Sequence, residues 1–291
     1  MRVGFFGVRG SCPCSSDEHR RYGGNTACTT VEVAGEPPII LDLGTGLRPL
    51  GVELERKAPE TPVAWTALLT HLHWDHLIGL PFFPPVLRPG AHLDVYGPGQ
   101  DGVLLQDVVD SVVKPPFFPV QVDELRGSIR FHEIDEGVLE VGSARVVVHR
   151  VPHVGTTLGF RIEAEGVSVV YLPDHQAPQD MEAVDPAVLE LCADADLLIH
   201  DAQYTAAEYA ARPDWGHSTP GYAVHVAAEA GAKTLVLFHH DPMHLDGDVD
   251  RIVDAARRLP EAARLRAVLG AAEGMVLQVG PGAVEVGSVH G

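Results

Sequence analysis

Apolar residues along the chain come in short runs broken by glycine, proline and acidic clusters, a pattern that predicts many short strands with helices between them. Strand-like runs cover residues 3–6, 29–33, 38–42, 64–69 and 92–96, then 128–131, 144–151, 159–163 and 168–172. Ala34-Gly35-Glu36-Pro37 separates the second and third and predicts a hairpin. Helical spacing covers residues 47–58 and 103–113, with a short coil expected over residues 77–80. In the last third helix and strand alternate: helices over 186–192, 219–230 and 248–258, strands over 196–200 and 233–238. That alternation argues for α/β layering, and the lack of a repeat or low-complexity linker for one domain over residues 1–291.

Composition narrows the picture. With 291 residues, 45% of them hydrophobic, the chain has ample material for a packed core. No apolar run approaches the ~18 residues of a membrane span, and the strand-like start lacks a signal peptide's apolar region, so a cytoplasmic protein away from membranes is expected. Four cysteines, Cys12, Cys14, Cys28 and Cys192, are too few for a disulfide scaffold. A net charge of -19 opposes attraction to long polyanions and excludes bulk nucleic acid as the expected partner. Bound divalent ions would restore positive potential locally, which leaves a small anionic substrate as the expected ligand.

The candidate chemistry begins after the run 64–69, in Thr70-His71-Leu72-His73-Trp74-Asp75-His76. In an extended segment residues i and i+2 point to the same side, so His71 and His73 can share an ion. Asp75 and His76 start a turn that swings them toward a second ion. Histidine is common here, 16 of 291 residues, yet a chance His-x-His-x-Asp-His is expected only at roughly a few in a thousand. Three further residues follow strand-like runs, where loops on a rigid sheet usually act: His153, Asp174 and His239. Taken singly each suits a hydrogen-bonded structural role as well as a ligand's. Taken with the loop they complete a two-ion set: His71, His73 and His153 for one ion, Asp75, His76 and His239 for the other, Asp174 bridging. The expected metals are two divalent ions, Zn2+ by the nitrogen-rich donor set, with Mn2+ compatible.

This constellation resembles the metallo-β-lactamase superfamily of dinuclear hydrolases, over nearly the whole chain. Gly7-Val8-Arg9-Gly10-Ser11, Arg21-Tyr22-Gly23-Gly24-Asn25-Thr26, Asp42-Leu43-Gly44-Thr45-Gly46, Trp215-Gly216-His217-Ser218-Thr219 and His239-His240-Asp241-Pro242 resemble its phosphodiesterase branch, which includes ribonuclease Z and phosphoribosyl cyclic phosphate phosphodiesterases. The resemblance implies a four-layer αβ/βα sandwich with the site along one edge of two facing sheets. It implies hydrolysis of a phosphodiester by a hydroxide shared between the ions. It also implies that His217, in its His-Ser-Thr context, contacts phosphate or acts as general acid. Ser218 or Thr219 equally suits a helix N-cap. Asp201 is expected to orient His217 and raise its proton affinity. Catalytic roles thus fall to His217, Asp75 and Asp201.

A small phosphodiester, cyclic ones included, fits better than tRNA, since residues 153–174 hold only a hairpin-like stretch and no Gly/Lys-rich arm. The metal set alone leaves a lactonase or thioester hydrolase open. A flavodiiron-like redox protein is disfavoured because His73 stands where that pattern has glutamate. Cys12-Pro13-Cys14 with His19 offers three ligands toward a structural zinc site and equally reads as loop thiols. The proline- and phenylalanine-rich residues 80–85 and 115–119 are expected to wall a pocket or bury a homodimer interface.

Overall fold

The computed structural model, which describes residues 1–57 and 64–287, arranges the apolar runs as two sheets packed face to face. In chain order the strands and helices are β1 (Arg2–Gly7), β2 (Cys28–Glu32), β3 (Ile39–Leu41), α1 (Leu47–Lys57), β4 (Ala64–Leu68), α2 (Trp74–Leu77), β5 (His92–Gly97), α3 (Leu105–Val112), β6 (Ser128–Glu133), β7 (Gly137–Val141), β8 (Ala144–Arg150), β9 (Leu158–Ala164), β10 (Val167–Leu172), α4 (Pro186–Cys192), β11 (Leu197–Asp201), α5 (Ala206–Ala211), α6 (Pro220–Glu229), β12 (Thr234–Phe238), α7 (Asp246–Arg257), β13 (Ala267–Gly270), β14 (Val276–Gly280) and β15 (Ala283–Gly287). One sheet runs β15-β14-β1-β2-β3-β4-β5-β6, the other β13-β12-β11-β10-β9-β8-β7.

Three apolar clusters make four layers. Phe5, Val31 and Leu68 of one sheet meet Val148, Phe160 and Ile199 of the other, forming the core between the sheets. Val188 of α4, Tyr222 of α6 and Val249 of α7 cover the outer face of the second sheet. Leu47 of α1 and Val109 of α3 cover the outer face of the first. Strands β10, β11 and β12 are buried at every residue, which explains why their apolar residues do not alternate with polar ones: a strand covered on both faces has no solvent side. Among the described residues no helix is long and apolar enough to cross a membrane.

Several boundaries differ from the expected ones. The coil expected over residues 77–80 starts earlier, as α2, and has ended at Leu77. Gly79 N–H leaves the helix ladder for Leu43 O at 2.8 Å and Pro81 has no N–H to continue it, so the chain goes on in 3-10 turns. Strand β7, α5 and strands β13 to β15 were not anticipated. Strand β7 lies immediately after the acidic turn 135–136 and has partly exposed faces, so it carries little apolar signal. Residue 58, expected at the end of the first helix, lies outside the described residues. The two proline-phenylalanine segments meet through the rings of Phe82 and Phe118, 5.6 Å apart, and Phe117 is exposed.

What this topology does for function is to gather loops. The chain leaves the C-terminal ends of β4, β8, β10, β11 and β12 along one rim of the two sheets, the usual place for a site in mixed α/β sheets.

Candidate metal centre

Five of those loops bring the expected residues together. Donor atoms of His71, His73 and His153 lie within 4.8 Å of one another, as do those of Asp75, His76 and His239. Asp174 stands between the groups. Its Oδ1 is 3.9 Å from His71 Nε2 and 3.7 Å from His153 Nε2, while its Oδ2 is 3.0 Å from His76 Nε2 and 3.4 Å from His239 Nε2. Each carboxylate oxygen therefore faces a different triad. The first triad opens toward solvent through His73, and the second is buried throughout.

Four of the five histidines, all but His73, have one nitrogen tied off behind them, which fixes the ring and turns the other nitrogen inward. His153 Nδ1–H donates to Gly216 O at 2.6 Å. His239 Nδ1–H donates to Gln203 Oε1 at 2.8 Å, and His76 Nδ1–H to Asp42 Oδ2 at 2.8 Å. His71 Nδ1–H donates to Thr70 Oγ1 at 3.0 Å, and that hydroxyl in turn donates to Asp42. Asp42 also accepts from the Tyr171 hydroxyl at 3.0 Å and from Thr70 N–H. This fully buried carboxylate thus holds a histidine of each triad. Replacing Asp42 with asparagine is expected to weaken metal affinity about 10- to 100-fold without removing a donor, the usual cost of losing an outer partner, as read by competition with a chromophoric chelator.

Charge and unmet valence fit a cation. His71 Nε2 is buried and has no hydrogen-bond partner among the described residues. His76 Nε2 and His239 Nε2 face each other at 3.1 Å, where at most one can donate. Burial holds His71, His73 and His153 below the ordinary histidine range, keeping their lone pairs free. Burial opposes ionisation of Asp75 and Asp174, but the imidazoles around them win and hold both below the ordinary carboxylate range. His76, likewise opposed by burial, is raised well above its ordinary value by Asp174, Asp75 and Asp42. Three carboxylates around one imidazole mark a place that stabilises positive charge.

His217 lies beside this cluster, its ring centroid 5.2 Å from that of His239 and 5.6 Å from that of His153. Its Nδ1 is 3.0 Å from Asp201 Oδ2. Burial pulls its pKa down, but Asp201, with smaller help from Asp174 and Asp75, raises it to about 9. Asp201 is itself fixed by the N–H groups of Gln203, Ser218 and His175. The capping reading holds alongside: Thr219 is the N-cap of α6 and accepts from Tyr222 N–H.

Sequence reading missed Asp42, Thr70, Tyr171 and Gln203 as partners of the site. Only Asp42 carried a signal, as the polar end of an apolar strand. The Gly-rich loop 7–11 closes on the second triad. Here Ser11 N–H donates to Asp75 Oδ2 at 2.7 Å, and Gly10 passes so close that a Cβ would fall 2.4 Å from His239 Nδ1. Gly216, at φ +89°, allows the same approach to His153. Cys12 and Cys14 are free thiols, and both ring nitrogens of His19 are engaged, by Ser16 Oγ and Pro242 O.

The family model described as the beta-lactamase superfamily domain matches residues 39–240. The chain belongs to the metallo-β-lactamase superfamily. A ribonuclease Z from Geobacillus kaustophilus is 30% identical over 218 residues, 59% of this chain and 68% of that protein. A ribonuclease Z from Natronomonas pharaonis is 27% identical over 315 aligned positions, 90% of this chain and 96% of that protein. Among solved structures, the metallo-β-lactamase fold protein YhfI from Bacillus subtilis superposes with a TM-score of 0.69 at 18% identity, covering 95% of this chain and 99% of that one. A diphosphatase of the PhnP family superposes at 0.62 with 21% identity, over 95% and 97%. The chain is thus a hydrolase of this superfamily, whose fold implies divalent metal ions, and the His/Asp groups above are able to bind them.

Proposed function

We propose that this hydrolase is a two-metal phosphodiesterase acting on a small phosphodiester. The observation that carries the reading is Asp174, whose two oxygens face two separate donor triads. His71, His73 and His153 would hold one ion, Asp75, His76 and His239 the other, with Asp174 shared. When bound, such a pair supplies a nucleophile from water at neutral pH and neutralises charge on phosphoryl oxygens.

The chain's own residues do the rest. Gln203, Asp42, Thr70 and the Gly216 carbonyl hold the ligand rings in place. Asp201 keeps the proton on His217 Nδ1 and favours the imidazolium, so that Nε2–H can be given to the departing alkoxide. Removing that proton donor slows the bond-breaking step without removing a metal ligand.

Against an RNA substrate stand the net charge of -19 and the segment from His153 to Asp174, in which β9 turns through Glu165 and Gly166 directly into β10. The ribonuclease Z relatives support phosphodiester chemistry. The zinc-loaded protein is expected to hydrolyse bis(p-nitrophenyl) phosphate and to leave a lactone and thioester panel untouched. A preference for lactones or thioesters, compared at equal protein and metal, would move the reading to carbonyl carbon.

A further inference from the structure

The first triad opens into a cleft of about 710 Å³ whose edge includes His71 and His73. Its size lies within the range of small-molecule pockets and is far below what a folded RNA fills. One wall is the tight turn 100–103, closed by Gln100 N–H to Val103 O at 3.0 Å and Val103 N–H to Gln100 O at 2.8 Å. The facing wall is the loop 154–156, and Thr156 N–H reaches across to Gln100 Oε1 at 3.0 Å. A rigid strap therefore joins the two walls.

The lining has a particular chemistry. Leu72, Val103, Val108 and Val154 give it apolar surface, and none of its lining residues is a lysine or arginine. Its one charge besides the histidines is the exposed Asp101 carboxylate at the tip of the turn. Gln100 uses its carbonyl on Thr156, while its amide N–H groups donate to no acceptor among the described residues.

We infer that this cleft receives one organic arm of the diester, and that the arm is uncharged, partly apolar and carries a hydrogen-bond acceptor for the Gln100 amide. This deepens the phosphodiesterase reading and rests on it. An anionic arm, such as one bearing a second phosphate or a carboxylate, would lose hydration with no cationic side chain in the lining to receive it and with Asp101 opposing from its screened tip. A cationic arm would gain no more than that screened contact with Asp101 and would find no phenylalanine, tyrosine or tryptophan ring in the lining. The substrate class is therefore the monoanionic diester of a neutral alcohol, with the charge confined to the reacting phosphate.

Three p-nitrophenyl aryl phosphates that differ only at the para position of the second ring test this: carbamoyl, carboxylate and trimethylammonio. With the zinc-loaded protein at 0.15 M salt, the carbamoyl diester is expected to exceed the carboxylate in kcat/KM by about tenfold, the size of a single unfavourable like-charge contact, with the difference in KM. The trimethylammonio diester is expected to fall below the carbamoyl one. Asp101→Asn, tolerated at that residue's φ of +52°, is expected to narrow the carbamoyl-to-carboxylate ratio, and adding Val103→Lys to bring it to one or below. Equal handling of all three arms, a preference for either charged arm, or a ratio indifferent to these substitutions would overturn the inference. Dissociation constants of the corresponding aryl methylphosphonates, measured by calorimetry, report the same ranking without turnover. If no diester is cleaved yet the phosphonates rank as expected, the cleft stands and the phosphodiesterase reading falls.

Discussion

Asp174→Ala is expected to empty both halves of the metal centre and to lower phosphodiester hydrolysis by at least about 10³-fold, because the charge neutralisation two ions supply is worth several kcal/mol of barrier. The reason for so large an effect is position. Asp174 is buried just after β10, and among the described residues it is the carboxylate whose two oxygens face the two triads. Losing it leaves the first triad with three neutral imidazoles and no compensating charge. Asp174→Asn, which keeps the shape, separates charge from volume and is expected to behave like alanine. A normal melting transition in both variants, measured without metal, ties the loss to metal binding rather than to folding.

The second large effect is on His217. His217→Ala is expected to retain the metals and to lower kcat by about 10²- to 10⁴-fold, the range of a lost general acid, with little change in KM. The loss should be greatest for alkyl leaving groups, which need the proton, and least for p-nitrophenolate, which does not. A merely structural histidine would slow both equally. Asp201→Asn gives the sign of the electrostatic part: Asp201 raises the His217 pKa, so removing its charge lowers that pKa. The acid form is then lost at lower pH, and the alkaline limb of the kcat profile moves toward neutrality. An unmoved limb would assign the proton to another group.

The clustering of the His/Asp donors was legible from sequence because its nucleus is local. His71, His73, Asp75 and His76 are fixed by strand period and the turn after β4, so spacing alone reports their geometry. His153, Asp174 and His239 were reachable because each follows an apolar run, and a strand packed into the core announces its C-terminal end by where hydrophobicity stops. The outer partners had no such signal. Asp42 meets His76 across 34 residues and Tyr171 across 129, and Gln203 meets His239 across 36. A hydrogen bond between distant loops leaves no period in the chain. The same holds for the cleft, whose walls are joined by Gln100 and Thr156 across 56 residues. The unread strands β7, β14 and β15 are short and partly exposed, so tertiary pairing rather than apolar content decides them.

Metal content per chain tests the account most directly. Elemental analysis after reconstitution with zinc and removal of free ion should give two ions in the unaltered protein, one in Asp75→Ala, which keeps the His71, His73 and His153 triad, and none in Asp174→Ala. One ion per chain in the unaltered protein, or two retained in Asp75→Ala, would contradict a centre built from these two triads.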